Sequence, residues 1–175
     1  YPATVILNSQ NYEDIISSAV YASHLNYSFV FALTPNQSVF ISKYYTLNPD
    51  ERIIYIEGKN TILPNMGALI RDSGVRNLTI AAPASVQFWV ADGLPKEEAI
   101  IVGGNYGYDA LAVSSYAALK GAPIFFISNP ADSGATVSQI KSLGYKRIII
   151  YGPIAHQLLP SDVENLPNRR IIDTG

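Results

Sequence analysis

Short, unbroken apolar runs alternate along this chain with longer stretches in which apolar residues recur every three or four positions. Strands buried on both faces give the first pattern and amphipathic helices the second. Ile100 to Val102 is one such run, and Gly103-Gly104-Asn105 breaks it. Asp109 then opens a stretch with Leu111, Ala112, Ser115, Tyr116 and Leu119 at helical spacing. Gly121 stops that helix, as a left-handed glycine does, and Ile124 to Ile127 forms the next strand. The same order occurs earlier. Residues 4–35 run beside 99–130 without a gap at an offset of 95. Asp14 falls on Asp109, Tyr21 on Tyr116, Ala22 on Ala117 and Pro35 on Pro130, and apolar positions fall on apolar ones. Internal repetition of this kind fixes the architecture.

Further elements follow from the same signals. Helices are predicted over 38–46, with Val39, Phe40, Tyr44 and Leu47 on one face, and over 61–73, with Ile62, Met66, Leu69 and Ile70 inward and Pro64 in the first turn. Residues 48–50 form a turn, and 52–57 and 77–81 are strands. Residues 83–91 read as a helix, with a strand over 85–90 as the alternative given Phe88, Trp89 and Val90. In the second copy come a helix over 135–143, a strand over 146–151, a helix over 154–165 interrupted by Pro160, and a strand over 170–173. The expectation is an α/β fold. Mostly parallel, Rossmann-like sheets carry helices on both faces, built from two tandem repeats of about 95 residues. Residues 1–98 form the first repeat and 99–175 a truncated second, packing as one α/β unit. The chain reads as a piece of a longer array, and Tyr1-Pro2 as a cut end.

Composition narrows the function. Nearly half of the 175 residues are hydrophobic, enough for a real core, while only 15% are charged against about 25% in an average domain. The polar surface therefore rests on Ser, Thr, Asn and the hydroxyls of 12 Tyr, which suits an extracellular location. A net charge of −2 without a basic run leaves no nucleic-acid footprint. The absence of cysteine excludes disulfides, thiolate catalysis and Cys-ligated metals. No apolar run reaches the length of about 20 residues that a membrane span needs. Asn26, Asn36 and Asn77 open Asn-x-Ser/Thr triplets and are candidate glycosylation sites.

The residues also carry a resemblance. Gly103-Gly104-Asn105-Tyr106-Gly107-Tyr108-Asp109-Ala110-Leu111-Ala112, Gly121-Ala122-Pro123-Ile124-Phe125-Phe126 and Leu143-Gly144-Tyr145-Lys146-Arg147-Ile148-Ile149-Ile150-Tyr151-Gly152 resemble the type 2 cell-wall-binding repeats of bacterial and archaeal surface proteins. Arg170 to Gly175 is similar to the strand that begins the next repeat of that family. The first copy is more diluted, with Asn8-Ser9-Gln10 in place of the glycines. Ala82 to Val86 departs from the family's Arg-x-x-Thr-Ala element. The resemblance implies a non-catalytic module at the cell surface or cell wall. Its partners would be a cell-envelope polymer or other surface-protein modules, through tandem packing or a homo-oligomer. Bacterial members bind anionic glycopolymers. This chain, without a basic cluster in its sequence, fits an archaeal-type protein with another envelope partner.

Candidate site chemistry centres on Gly103, Gly104 and Asn105, a glycine turn at the end of a strand and the start of a helix, where anions and ligands of open α/β sheets can bind. The run is neither Gly-x-Gly-x-x-Gly nor a P-loop, and Asp109 at the helix start is expected to satisfy the donors a phosphate would need. Tyr106 and Tyr108 are the candidate aromatic contacts for sugars or protein. Asn11, Asp109 and Asp132 are expected to cap helices, with Asp14 completing a capping box on Asn11. His24 and His156 lie outside any motif, so neither a metal site nor a cofactor is expected. Three readings remain: an envelope-attachment module, a self-assembling S-layer or filament subunit, and a Rossmann-like nucleotide-binding enzyme using the 103–109 loop.

Overall fold

The computed structural model describes residues 3–32, 34, 36–48, 50–105, 107–129, 131, 133–164 and 166–174. The expected alternation is present. The first copy runs β1 (Thr4–Asn8), α1 (Tyr12–His24), β2 (Ser28–Phe31), α2 (Gln37–Leu47), β3 (Arg52–Glu57), α3 (Met66–Asp72), β4 (Asn77–Ala81) and α4 (Val86–Asp92). The second runs β5 (Glu98–Gly103), α5 (Tyr108–Lys120), β6 (Ile124–Ile127), α6 (Ser133–Ser142), β7 (Arg147–Tyr151), a 3₁₀ turn (Pro153–His156), α7 (Pro160–Glu164) and β8 (Arg170–Ile172). The strands form two all-parallel sheets, ordered β2-β1-β3-β4 and β6-β5-β7-β8. Register repeats at the sequence offset: Val5 pairs with Phe29 and Ile54, and Ile100 pairs with Ile124 and Ile149.

Each sheet is covered on both faces. Ile101, Phe125 and Ile150 pack against Val137, Ile140 and Val163 on one side, and Ile100, Val102 and Phe126 against Ala110, Val113 and Ala117 on the other. Each fully buried Ile or Phe contributes about 1.5–3 kcal/mol relative to exposure. Helix α1 is shared between the copies. Tyr21 and Ala22 pack on the first sheet, while Ile16 and Val20 join the core of the second. Cross-copy hydrogen bonds pin it. The Tyr12 hydroxyl donates to the Gly104 carbonyl, Ser128 Oγ to Glu13 Oε1 at 2.9 Å, and His24 Nδ1 lies 3.0 Å from the Ala118 carbonyl. Asn26 and Gly121, equivalent under the offset, both follow their helices with positive φ, as expected of left-handed caps.

Several expectations need correction. The helix predicted over 61–73 starts only at Met66, because the Asn8 side chain binds the backbone of residues 62 and 63 in a turn. The helical reading of residues 83–91 holds, but α4 begins at Val86 after an extended Ser85. Pro160 opens α7 instead of interrupting a longer helix, and Pro153 opens a separate 3₁₀ turn. Leu69 of α3, expected inward, is exposed; in α2, Ile41 packs against the core while Val39, Tyr44 and Leu47 are exposed. Asp132 lies outside the described residues.

Candidate functional site

Strand order reverses at β5: the chain moves from β5 to β6 on one side, then returns to β7 on the other. The carboxyl ends of β5 and β7 therefore flank a switch point, where open α/β sheets hold ligands. A cleft of about 260 Å³ opens there, lined by Gly103, Asn105, Gly107, Tyr108, Asp109, Pro153, Ile154, Gln157 and Thr174. It gathers Gly103, Asn105 and Tyr108 of the expected set. Tyr106 lies outside the described residues. Gly104 faces away, toward the first copy, where a Cβ would strike the Ser128 hydroxyl and Glu13. The far wall, from Pro153 to Gln157 with Thr174, was missed; its signal is the chain leaving β7 across the switch point.

Neither Asp14 nor Asp109 caps its helix. Asn11 is the N-cap of α1 and its side chain accepts from the Glu13 amide at 3.0 Å. Asp14 instead accepts from Ser9 Oγ at 2.6 Å, so the capping box is absent. The cap of α5 is Gly107 with no side-chain bond, and Asp109 sits in the first turn with its carboxylate over Gly152. A Cβ at Gly152 would lie 2.5 Å from that carboxylate, and its φ of 90° and ψ of −174° are open to glycine alone. Asp14 stands over Gly58 in the same way. Each copy thus sets a carboxylate on the glycine that follows its third strand.

Burial pushes the Asp14 carboxyl above the usual range, with the Ser9 bond opposing. A carboxyl that holds its proton more tightly when folded stabilises the fold below its unfolded pKa and loses that contribution as pH rises through the folded one. Asp14→Asn keeps an acceptor for Ser9. It is expected to melt above the parent at about pH 7 and to match it near about pH 3, in paired thermal melts.

The copies differ at the mouth of the site. In the first, Asn8 and Ser9 occupy the positions of Gly103 and Gly104. Asn8 is fully buried, and its side chain ties β1 to residues 62 and 63. In the second copy no side chain stands there, so the switch point is open and Asp109 reaches it. Tyr108, 76% exposed, flanks the opening. Among the described residues no group of His, Asp and Glu is placed to hold a metal. No described helix is long and apolar enough to cross a membrane. Asn26, Asn36 and Asn77 are all exposed on the first copy.

Charges of both signs meet at the opposite end of the second sheet. There the fold gathers Lys120, Lys146 and Arg147 around Glu97, Glu98 and Asn168, lining a second cleft of about 530 Å³. Lys146 pairs with Glu97 at 2.6 Å and Arg147 with Glu98 at 2.6 Å, so most of this charge is matched in place.

Residues 75–156 match the family described as Cell wall binding domain 2 (CWB2). The chain is 27% identical over 153 residues to N-acetylmuramoyl-L-alanine amidase LytC of Bacillus subtilis (strain 168), a match covering 85% of this chain and 30% of that protein. Among solved structures it resembles Cwp6 from Clostridium difficile, with a TM-score of 0.72 at 16% identity over 98% of this chain and 29% of that one. The chain spans less than a third of either relative. The resemblance drawn from the residues and the α/β class are both borne out.

Proposed function

We infer that this chain, whose residues 75–156 belong to the Cell wall binding domain 2 family, is a non-catalytic attachment module that holds a larger surface protein on a cell-envelope polymer. The amidase activity in the name of LytC belongs to a protein of which this chain matches 30%. The observation that carries the reading is the open switch point of the second copy. Glycine at 103 leaves a cleft with amide and hydroxyl groups from Asn105, Gln157 and Thr174 on its walls and an aromatic ring at its lip. Such walls suit the hydroxyls and flat faces of a glycan chain. They suit a nucleotide phosphate poorly, because Asp109 lies at the helix start and Gly104 is turned toward Tyr12 and Ser128.

One observation favours packing against like modules as well. The first copy inserts Ile16 and Val20 of α1 into the second. The equivalent positions on α5, Leu111 and Ser115, line a groove of about 400 Å³ with Ile15, Phe29 and Phe31 of the first copy, and Leu111 is 59% exposed. A head-to-tail interface leaves one such face open on each side, and another copy can close it. This is the route to S-layer-like or oligomeric assembly.

The test is co-sedimentation of the purified chain with isolated envelope, beside light scattering of the chain alone. Saturable pelleting is expected. Tyr108→Ala is expected to weaken it roughly three- to tenfold, the scale of about 0.5–1.5 kcal/mol for one aromatic contact. Absence of pelleting, with a clean oligomer in solution, would overturn attachment in favour of self-assembly.

A further inference from the structure

We propose that the switch-point cleft takes an amino sugar by its protonated primary amine, with the ammonium on Asp109 and the sugar ring against Tyr108. The proposal rests on the reading of that cleft as the polymer site, and it names the class of sugar unit taken there. Three observations carry it. Charge comes first. Of the described residues that line the cleft, Asp109 alone is charged. Among the described residues no cation and no hydrogen-bond donor meets its carboxylate. Asp173, next to Thr174 of the far wall, is by contrast held by His156 at 2.6 Å.

Comparison of the copies comes second. Asp14, the equivalent of Asp109, is likewise half-buried over the glycine that follows a third strand. There the carboxylate accepts a hydrogen bond from Ser9 at 2.6 Å, and the fully buried Asn8 fills the preceding position. In the second copy Gly103 and Gly104 hold these two places. The carboxylate is kept, while its donor and the side chain that closes the site are both gone. A carboxylate is an acceptor on every lone pair, and one drawn partly out of water without donors is costly. The missing donor is supplied by what enters the cleft.

The chemistry of the walls comes third. A primary ammonium carries three N–H donors and no acceptor, the complement of a carboxylate, and a charged hydrogen bond is about twice as strong as a neutral one. Asn105, Gln157 and Thr174 offer amides and a hydroxyl to the hydroxyls of a sugar. The exposed ring of Tyr108 offers its face to a sugar ring and to a cation alike. A lysine side chain would use the carboxylate but not these walls. The cleft, at about 260 Å³, lies just under the roughly 300–1,000 Å³ of drug-sized sites, which suits one sugar unit at a time.

The probes are tetraglucosamine and tetra-N-acetylglucosamine, which share a backbone and differ in whether the nitrogen is a cation, with trilysine as a peptide amine. They are titrated at about pH 6, where the amines are protonated, and followed by the amide chemical shifts of residues 105, 107–109, 154, 157 and 174. Saturable shifts are expected with tetraglucosamine, at a Kd at least about tenfold below that of the acetylated tetramer, weakening as sodium chloride is raised from about 50 to about 500 mM. In Asp109→Asn, which keeps the shape of the side chain and removes its charge, the two tetramers are expected to bind alike. Equal affinities in the parent chain, a comparison that needs no variant to fold, would overturn the proposal. So would a preference that survives Asp109→Asn, absence of saturable shifts with tetraglucosamine, or trilysine binding as tightly as tetraglucosamine. Envelope pelleting, run in parallel, keeps the two readings apart. Pelleting without a preference for the amine overturns the amino-sugar assignment alone, whereas loss of pelleting overturns the attachment reading beneath it.

Discussion

Asn8→Ala is expected to cost the fold about 3–5 kcal/mol, more than any exposed substitution in the chain. Asn8 is fully buried at the end of β1. Its Oδ1 accepts from the amides of Ile62 at 2.9 Å and Leu63 at 3.0 Å. Its Nδ2 donates to the Leu63 carbonyl at 2.7 Å and to the Tyr55 hydroxyl at 2.9 Å, and that hydroxyl donates onward to Glu57. Truncation leaves two amides, a carbonyl and a phenol without these partners, and each buried orphan costs about 1–3 kcal/mol. Some recover through water, which is why the sum is not taken in full. The measurement is urea unfolding, with a lower midpoint at unchanged slope. Ser9→Ala, which removes two part-buried bonds, one donated to Asp14 and one accepted from the Asn11 amide, is the milder comparison. A loss below about 1 kcal/mol for Asn8→Ala would mean that residues 61–65 hold their turn without it.

That network also marks what the sequence could and could not reveal. The strands, the shared register and the left-handed caps at Asn26 and Gly121 are local or repeat at a fixed offset, so pattern alone exposes them. The bond from Asn8 to residues 62 and 63 spans more than fifty positions and has no local trace. Helical spacing from Ile62 onward therefore suggested a longer α3 than the chain forms. Spacing likewise shows that α2 has an apolar face but not whether anything covers it, and Leu47 is 74% exposed. At the site, the glycines and Tyr108 were legible because they interrupt a strand–helix pattern. Pro153, Ile154, Gln157 and Thr174 were not, since only strand order brings them there. The ion pairs of Lys146 with Glu97 and Arg147 with Glu98 were hidden for the same reason, each spanning nearly fifty positions.

The second large expectation uses the difference between the copies. Gly103→Asn gives the second copy the residue that closes the first, and it is expected to lower envelope binding at least about tenfold while leaving stability within about 1 kcal/mol. The backbone accepts the change. Gly103 is not among the glycines with positive φ, and a Cβ there would meet only the Ile154 Cβ, at 3.8 Å, an ordinary contact. The side chain then stands in the cleft between Asn105, Asp109 and Ile154, the space the proposed glycan needs. Gly104→Asn is the contrasting variant. Its Cβ collides with Ser128 and Glu13, so it is expected to destabilise the seam between the copies. Pelleting and thermal melts of both variants separate the outcomes. Lost binding with an unchanged melt for Gly103→Asn assigns the polymer to the switch point. Full binding by a well-folded Gly103→Asn would place the polymer contact away from the switch point and overturn that assignment.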